Sequence, residues 1–162
     1  MAPVFIYLRR IDGEDPFEYL KLKGDWRRGL LVGLLLTAVN FLASLARFGV
    51  PHPDPRYVTW NSIISTSLLI GVVEEIPYRG FILQKFQEQL GFWPACLISS
   101  LLFAGIHLPG WILLGTFQAS VAASVFTFGL LMAIVFRYSK SLWSVIVAHS
   151  LNDFLSFVVF HV

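Results

Sequence analysis

The sequence predicts an all-α fold, a polytopic transmembrane helical bundle with about five spans and a polar cavity inside the membrane. Three observations predict it. Of the 162 residues, 56% are hydrophobic and 14% charged, and the mean hydropathy of +0.70 lies well above that of soluble domains. The apolar residues gather into runs of roughly 20, the length a helix needs to cross a ~30 Å hydrocarbon core. Trp26, Trp60, Trp93, Trp111 and Trp143 all stand at or near the ends of those runs, where an indole buries its ring and keeps its N–H wet.

Residues 1–27 read as a cytoplasmic or interfacial segment. Its first apolar run, PVFIYL, is short and is followed by its charges, so no cleavable leader is expected. In DPFEYLKL, Asp15 is placed to cap a short helix with Pro16 at its first position, and that helix is expected to lie on the membrane surface.

Residues 28–162 form the membrane domain, with spans expected at about 28–48, 60–83, 92–108, 117–136 and 142–161. The third is the shortest, and its end at HLPGW leaves open a dip or a kink. Lys21, Lys23, Arg27 and Arg28 precede the first span, Lys85 follows the second, and Arg137 and Lys140 follow the fourth. By the positive-inside rule the N-terminus is cytoplasmic and, with five spans, the C-terminus is outside. Arg47 and Arg56 on the opposite side weaken this bias without reversing it.

Composition also excludes. A net charge of +2, dispersed along the chain, gives no footprint for nucleic acid. The single cysteine, Cys96, cannot form an intramolecular disulfide.

Ionisable groups inside membrane spans cost about 2.5 to 3.5 kcal/mol each on insertion scales, so they are paired, buried in protein or set in a wet cavity. In GVVEEIPYRGFIL, Glu75 and Arg79 are four apart and share a helix face, whereas Glu74 points about 100 degrees away. A buried ion pair accounts for Glu75 and Arg79. It leaves Glu74 alone, and a lone carboxylate in apolar surroundings suits a general base or proton carrier. Pro77 cannot donate to the Val73 carbonyl, which predicts a kink and an opening at this turn.

FAGIH sets Phe103 and His107 one turn apart, and HSLND stacks His149 on Asp153 with Asn152 on a neighbouring face. Structurally these are a satisfied helix histidine and a local hydrogen-bonded pair. Depth argues for more: Glu74, His149 and His107 lie roughly 15, 12 and 22 Å from the cytoplasmic end at about 1.5 Å per residue. His52 and His161 lie near segment ends and need no functional account.

These stretches together resemble the motifs EExxxR, FxxxH and HxxxN/D of the CPBP family, the CAAX-protease and bacteriocin-processing (Abi) intramembrane endopeptidases. The resemblance covers roughly residues 60–160. It implies that Glu74 and His107 activate a water, that His149 and Asp153 stabilise the oxyanion, and that Glu75, Arg79, Phe103 and Asn152 support them. No cofactor is expected; zinc on Glu74, His107 and His149 is the alternative, although the sequence lacks HExxH.

The family usually has six to eight spans, so either a minimal or shortened member or self-association to complete the packing is a further expectation. The implied partners are membrane lipids and a peptide or membrane-tethered protein: a prenylated CAAX protein, a peptide pheromone or a bacteriocin precursor. Cleavage near the cytoplasmic side of a prokaryotic cell membrane is the expected setting. Two other classes compete, a proton- or ion-coupled transporter and a non-enzymatic immunity or scaffolding protein. The first finds no inverted repeat in the sequence, and the second no eroded motif.

Overall fold

A computed structural model gives the fold and describes residues 1–51, 56 and 58–160. His52 and His161 lie outside these residues. Every described element is helical. Two short helices, α1 (Ala2–Tyr7) and α2 (Pro16–Tyr19), precede the long α3 (Trp26–Phe48). The next helical segment changes type along its length: π-helical turns over Ser62–Leu68, α4 (Leu69–Glu75), π-helical turns over Ile76–Ile82, then α5 (Leu83–Leu90). After it come α6 (Phe92–Gly105), α7 (Leu108–Leu113), α8 (Ala119–Ser139) and α9 (Leu142–Asp153), the last continuing as π-helical turns over Phe154–Phe160.

Among the described residues four helical stretches are long and apolar enough to cross a membrane: Trp26–Phe48, Phe92–Leu113, Ala119–Ser139 and Leu142–Phe160. Of the five spans expected, the segment that carries α4 is the one outside this set. That segment is helical from Ser62 to Leu90, but Glu74, Glu75 and Arg79 lower its apolarity, and what holds it in the bundle is contact with protein.

Local chemistry sets the breaks. Asp25 caps α3 by accepting from the Arg28 N–H at 3.0 Å. Gly91, at φ +76°, reverses the chain between α5 and α6 in a conformation that a side chain would strain. Pro109 in the first turn of α7 lacks the N–H that would continue α6, so the ambiguous third span is α6, a turn at Ile106 and His107, and then α7.

The last span is the centre of the bundle. Half of its apolar window is buried, against 11% for α3 and 22% for α6 with α7 and for α8. It packs on α3, α4 and α8, while α6 packs on α5 and α8. Lipid is as apolar as leucine, so helices associate in a membrane through close packing of small residues. Gly33 lets α3 approach the Ser144 carbonyl of α9, and Gly71 lets α4 approach the Ile146 carbonyl; a Cβ on either glycine would lie 2.9 Å from that oxygen. Leu31, Leu34, Leu35, Val39 and Leu42 of α3 remain exposed, a face suited to lipid.

The N-terminal segment does more than lie on a surface. Asp15 caps α2 as expected, accepting from the Phe17 and Glu18 N–H groups. Leu8 and Leu20, however, are fully buried in the same apolar core as Leu83 and Leu142. Trp143 Nε1 donates to the Leu22 carbonyl at 3.0 Å, Gln84 Nε2 to the Tyr19 carbonyl at 2.8 Å, and Lys85 pairs with Asp12 at 2.7 Å. These contacts close one end of the bundle. Lys85, Arg137 and Lys140 sit at that end, since Arg28 reaches the Tyr138 carbonyl there at 3.3 Å.

Candidate functional site

The turn that begins at Glu74 builds the site. Glu75 and Arg79 are fully buried, and Arg79 Nη1 donates to Glu75 Oε1 at 3.0 Å, the pair that their spacing predicts. The guanidinium also donates to the Gly129 carbonyl of α8 at 3.2 Å and lies 4.2 Å from the centre of the Phe103 ring. A buried charge is tolerable when its donors are used in this way. At Pro77 the helix widens into π-helical turns. The break expected there is therefore met by a change of helix type, a feature often found at functional sites.

Helix α9 brings His149 to the same glutamate. His149 Nδ1 is 2.6 Å from Glu75 Oε1; because an ionised carboxylate only accepts, Nδ1 carries the proton and donates. Nε2 is left 3.8 Å from Glu74 Oε2 and 3.7 Å from Asp153 Oδ2. The imidazole thus sits among three carboxylates from two helices. The sequence reading gave Glu75 to Arg79 and His149 to Asp153, each within its own helix. The structure joins the two pairs.

His107 lies at the break between α6 and α7. Its Nδ1 donates to the Phe103 carbonyl at 2.9 Å, which in the neutral ring leaves Nε2 with a free lone pair. The ring stacks on Trp111, with centroids 5.5 Å apart. Phe103, 2% exposed, is packed edge-on against His107, His149 and Tyr78. Its supporting position is that of a wall shared by all three motifs.

Asn152 has a role that its helical face alone did not suggest. Its Oδ1 accepts from Asn40 Nδ2 of α3 at 2.6 Å, and its Nδ2 makes a long, 3.5 Å contact with Asp153 Oδ1. Asn40 was missed in the sequence, although the same rule that singled out other polar residues inside apolar spans would have found it in TAVNFLA. Phe128 of α8, whose ring is 4.9 Å from that of His149, carries no distinguishing signal among 15 phenylalanines.

Glu74, His107, His149, Asn152 and Asp153 line one open cavity of about 1140 Å³. It continues along Asn40 and Arg47 of α3, Trp111, Val121 and Phe157. These are residues near the end of α3, the start of α8 and the end of the last span, so the cavity runs from mid-bundle toward the end remote from Lys85 and Lys140.

Among the described residues no group of three His, Cys, Asp or Glu side chains is placed to hold a metal ion. His149 Nδ1 and His107 Nδ1 are engaged with Glu75 and the Phe103 carbonyl, which leaves Nε2 of each ring facing the cavity. No step below is derived through a metal.

A family model described as Rce1-like, type II CAAX prenyl endopeptidase Rce1-like, matches residues 55–155. Comparison with curated proteins and with solved structures gives no match. The matched stretch contains all three motifs and begins after α3.

Proposed function

Since this chain belongs to the Rce1-like family of type II CAAX prenyl endopeptidases, we propose that it is an intramembrane endopeptidase that uses Glu74 and His107 to activate water. The observation that carries this reading is that groups from three helices, Glu74, His107, His149 and Asp153, line the same cavity.

A water has two protons to donate, and two acceptors are available for it: the Glu74 carboxylate and the Nε2 lone pair of neutral His107. As the water oxygen attacks the scissile carbonyl carbon, Glu74 takes one of its protons. The carbonyl π electrons move onto oxygen. His149, held at Nδ1 by Glu75, donates from Nε2 to that oxyanion in its doubly protonated form. Asp153, 3.7 Å from Nε2, orients the ring and balances its charge. Collapse of the tetrahedral intermediate breaks the C–N bond, and the proton on Glu74 passes to the leaving amine.

The substrate we infer is a peptide or membrane-tethered protein. The cavity wall mixes a few polar groups with Phe103, Trp111, Phe128 and Phe157, which suits an extended peptide with apolar side chains or an attached lipid. By the positive-inside rule the basic end that includes residues 8–28 is cytoplasmic.

The test is cleavage of a quenched peptide library by the detergent-purified protein, with Glu74→Gln and His107→Ala for comparison. Loss of cleavage in both, with melting temperature retained, is expected, and so is survival of wild-type cleavage through exhaustive chelation. Cleavage that persists in Glu74→Gln overturns the assignment of the base. Proton flux in liposomes that needs Glu74, without proteolysis, would replace the peptidase with a transporter.

A further inference from the structure

Helix α3 lies outside the matched residues 55–155, yet it forms one wall of the cavity through Asn40, Ala43, Ser44 and Arg47. We propose that Asn40 is a positioning residue of the site, holding Asp153 in place through the side-chain amide of Asn152. The inference rests on the peptidase reading above.

The direction of this hydrogen-bond chain follows from its inner end. An ionised Asp153 only accepts, so Asn152 must turn its NH₂ toward Asp153 Oδ1. Its own Oδ1 then faces α3 and needs a donor. Asn40 Nδ2 supplies one at 2.6 Å, and in doing so pins the outer end of the Asn152 amide. With no donor on α3, Asn152 Oδ1 loses its partner, the amide is no longer pinned at its outer end, and the long contact by which it holds Asp153 beside His149 Nε2 slackens. Asp153, the group that orients His149, would thus be held from a helix that contacts none of the three motifs' ionisable groups by hydrogen bond.

A helix-packing role alone explains this bridge less well. The contact between α3 and α9 is already set near the basic end, where Gly29 approaches Ser141 and Gly33 approaches Ser144 and Val147. Asn40 lies two to three turns further along, where the helices border the cavity and both amides line it. A bridge needed only for packing has no reason to end on a carboxylate of the site.

Four variants of the full chain test this: Asn40→Leu, Asn40→Asp, Asn152→Leu and the double variant Asn40→Leu with Asn152→Leu. Asn40→Asp keeps the size and polarity of asparagine but, when ionised, has no proton for Asn152 Oδ1. If the leucine variant fails to fold, the aspartate variant carries the test. Both Asn40 variants should lower kcat about tenfold to hundredfold, as a misplaced orienting group does, with KM changed less than about twofold. The double variant should be no worse than Asn152→Leu alone, because the two amides act as a unit. A wild-type kcat in folded Asn40→Leu or Asn40→Asp overturns the proposal, and so do multiplicative losses in the double variant. The side-chain amide resonances of Asn152, observed in isotope-labelled protein in micelles, give a readout that needs no substrate. They should shift in Asn40→Leu, and unchanged resonances overturn the positioning role. Absence of cleavage by the wild-type protein instead removes the peptidase reading and leaves the amide resonances to decide on Asn40.

Discussion

His149 Nδ1 lies 2.6 Å from Glu75 Oε1, so the buried glutamate of the adjacent pair, and not the cavity-lining one, holds the histidine of the last span. Glu75 therefore balances two donors, Arg79 and His149, from two helices. Glu74, one residue earlier, makes no contact with His149 shorter than 3.8 Å.

Opposite effects are expected from the same substitution at these neighbours. Glu75→Gln removes the charge that compensates the fully buried Arg79, and breaking a buried pair by removing one partner costs about 3 to 5 kcal/mol. Glu74→Gln, at a site open to the cavity, should change stability by less than about 1 kcal/mol while abolishing cleavage. Unfolding in mixed detergent micelles measures both. Equal destabilisation by the two variants would end the division of labour between them.

What the sequence made legible, and what it did not, follows from the range of each interaction. The Glu75 and Arg79 pair is local, four residues apart on one helix, and spacing alone finds it. Polar residues in apolar runs pointed to Glu74, His107, His149 and Asp153 by their cost, whatever the tertiary fold. The link from His149 to Glu75 spans 74 positions, and nothing in the periodicity of either helix encodes which helices touch. The second expected span is less apolar than the other four for a related reason: the charges that identify the site also lower the apolarity of the helix that carries them, and only tertiary contact explains its place. The burial of Leu8 and Leu20 was hidden because a short apolar run before a charge cluster looks the same on a membrane surface as against a bundle end.

Gly71 sets the distance between the helices that carry Glu74 and His149. A Cβ there would meet the Ile146 carbonyl and the Ser150 N–H at 2.9 Å, both backbone groups that cannot turn aside. Gly71→Ala should cost about 1 to 3 kcal/mol, as overpacking does, and should lower kcat by separating α4 from α9. Gly105→Ala is the control, since nothing lies within 4 Å of its Cβ position. Thermal unfolding and cleavage rates measured on both decide it: a neutral Gly71→Ala would show that α4 and α9 can move apart at no cost.

The pH dependence of the N-terminal cap follows from Asp15. The Lys23 ammonium, hydrogen-bonded at 2.6 Å, holds the Asp15 carboxyl below its ordinary value of 3.8 against the opposing effect of burial, and the N–H groups of Glu18 and Phe17 add to the lowering. A carboxyl whose folded value is depressed stabilises the fold fully above its unfolded value, and that contribution is lost as pH falls through the folded value. The same bond raises Lys23 above 10.5, so its share persists through neutral pH and is lost only as pH rises through the raised value. Fluorescence of Trp143, whose indole is docked on Leu22, should therefore stay flat across neutral pH and change in acid. Asp15→Asn keeps an acceptor for the cap but has no carboxyl to titrate, so its acid change should be smaller. An identical acid limb in both proteins would exclude Asp15 as its source.

The direction in which the cavity opens gives a prediction about where substrate enters. Helix α3 has 23 residues, about 34 Å at 1.5 Å per residue, which sets Arg47 at the opposite face of the bundle from Arg28. Arg28 shares its end with Lys140, and Arg47 lines the cavity. Arg47 and Lys140 are both exposed, whereas the native Cys96 is buried, so background labelling by an impermeant maleimide should be low. In sealed vesicles of one orientation, Arg47→Cys and Lys140→Cys should label from opposite sides, and a cleavable peptide should protect only Arg47→Cys. If the basic end is cytoplasmic, that peptide must reach the site from the other leaflet or sideways between helices. Labelling of both cysteines from one side would overturn the orientation of the bundle, and protection of Lys140→Cys would move the entrance to the basic end.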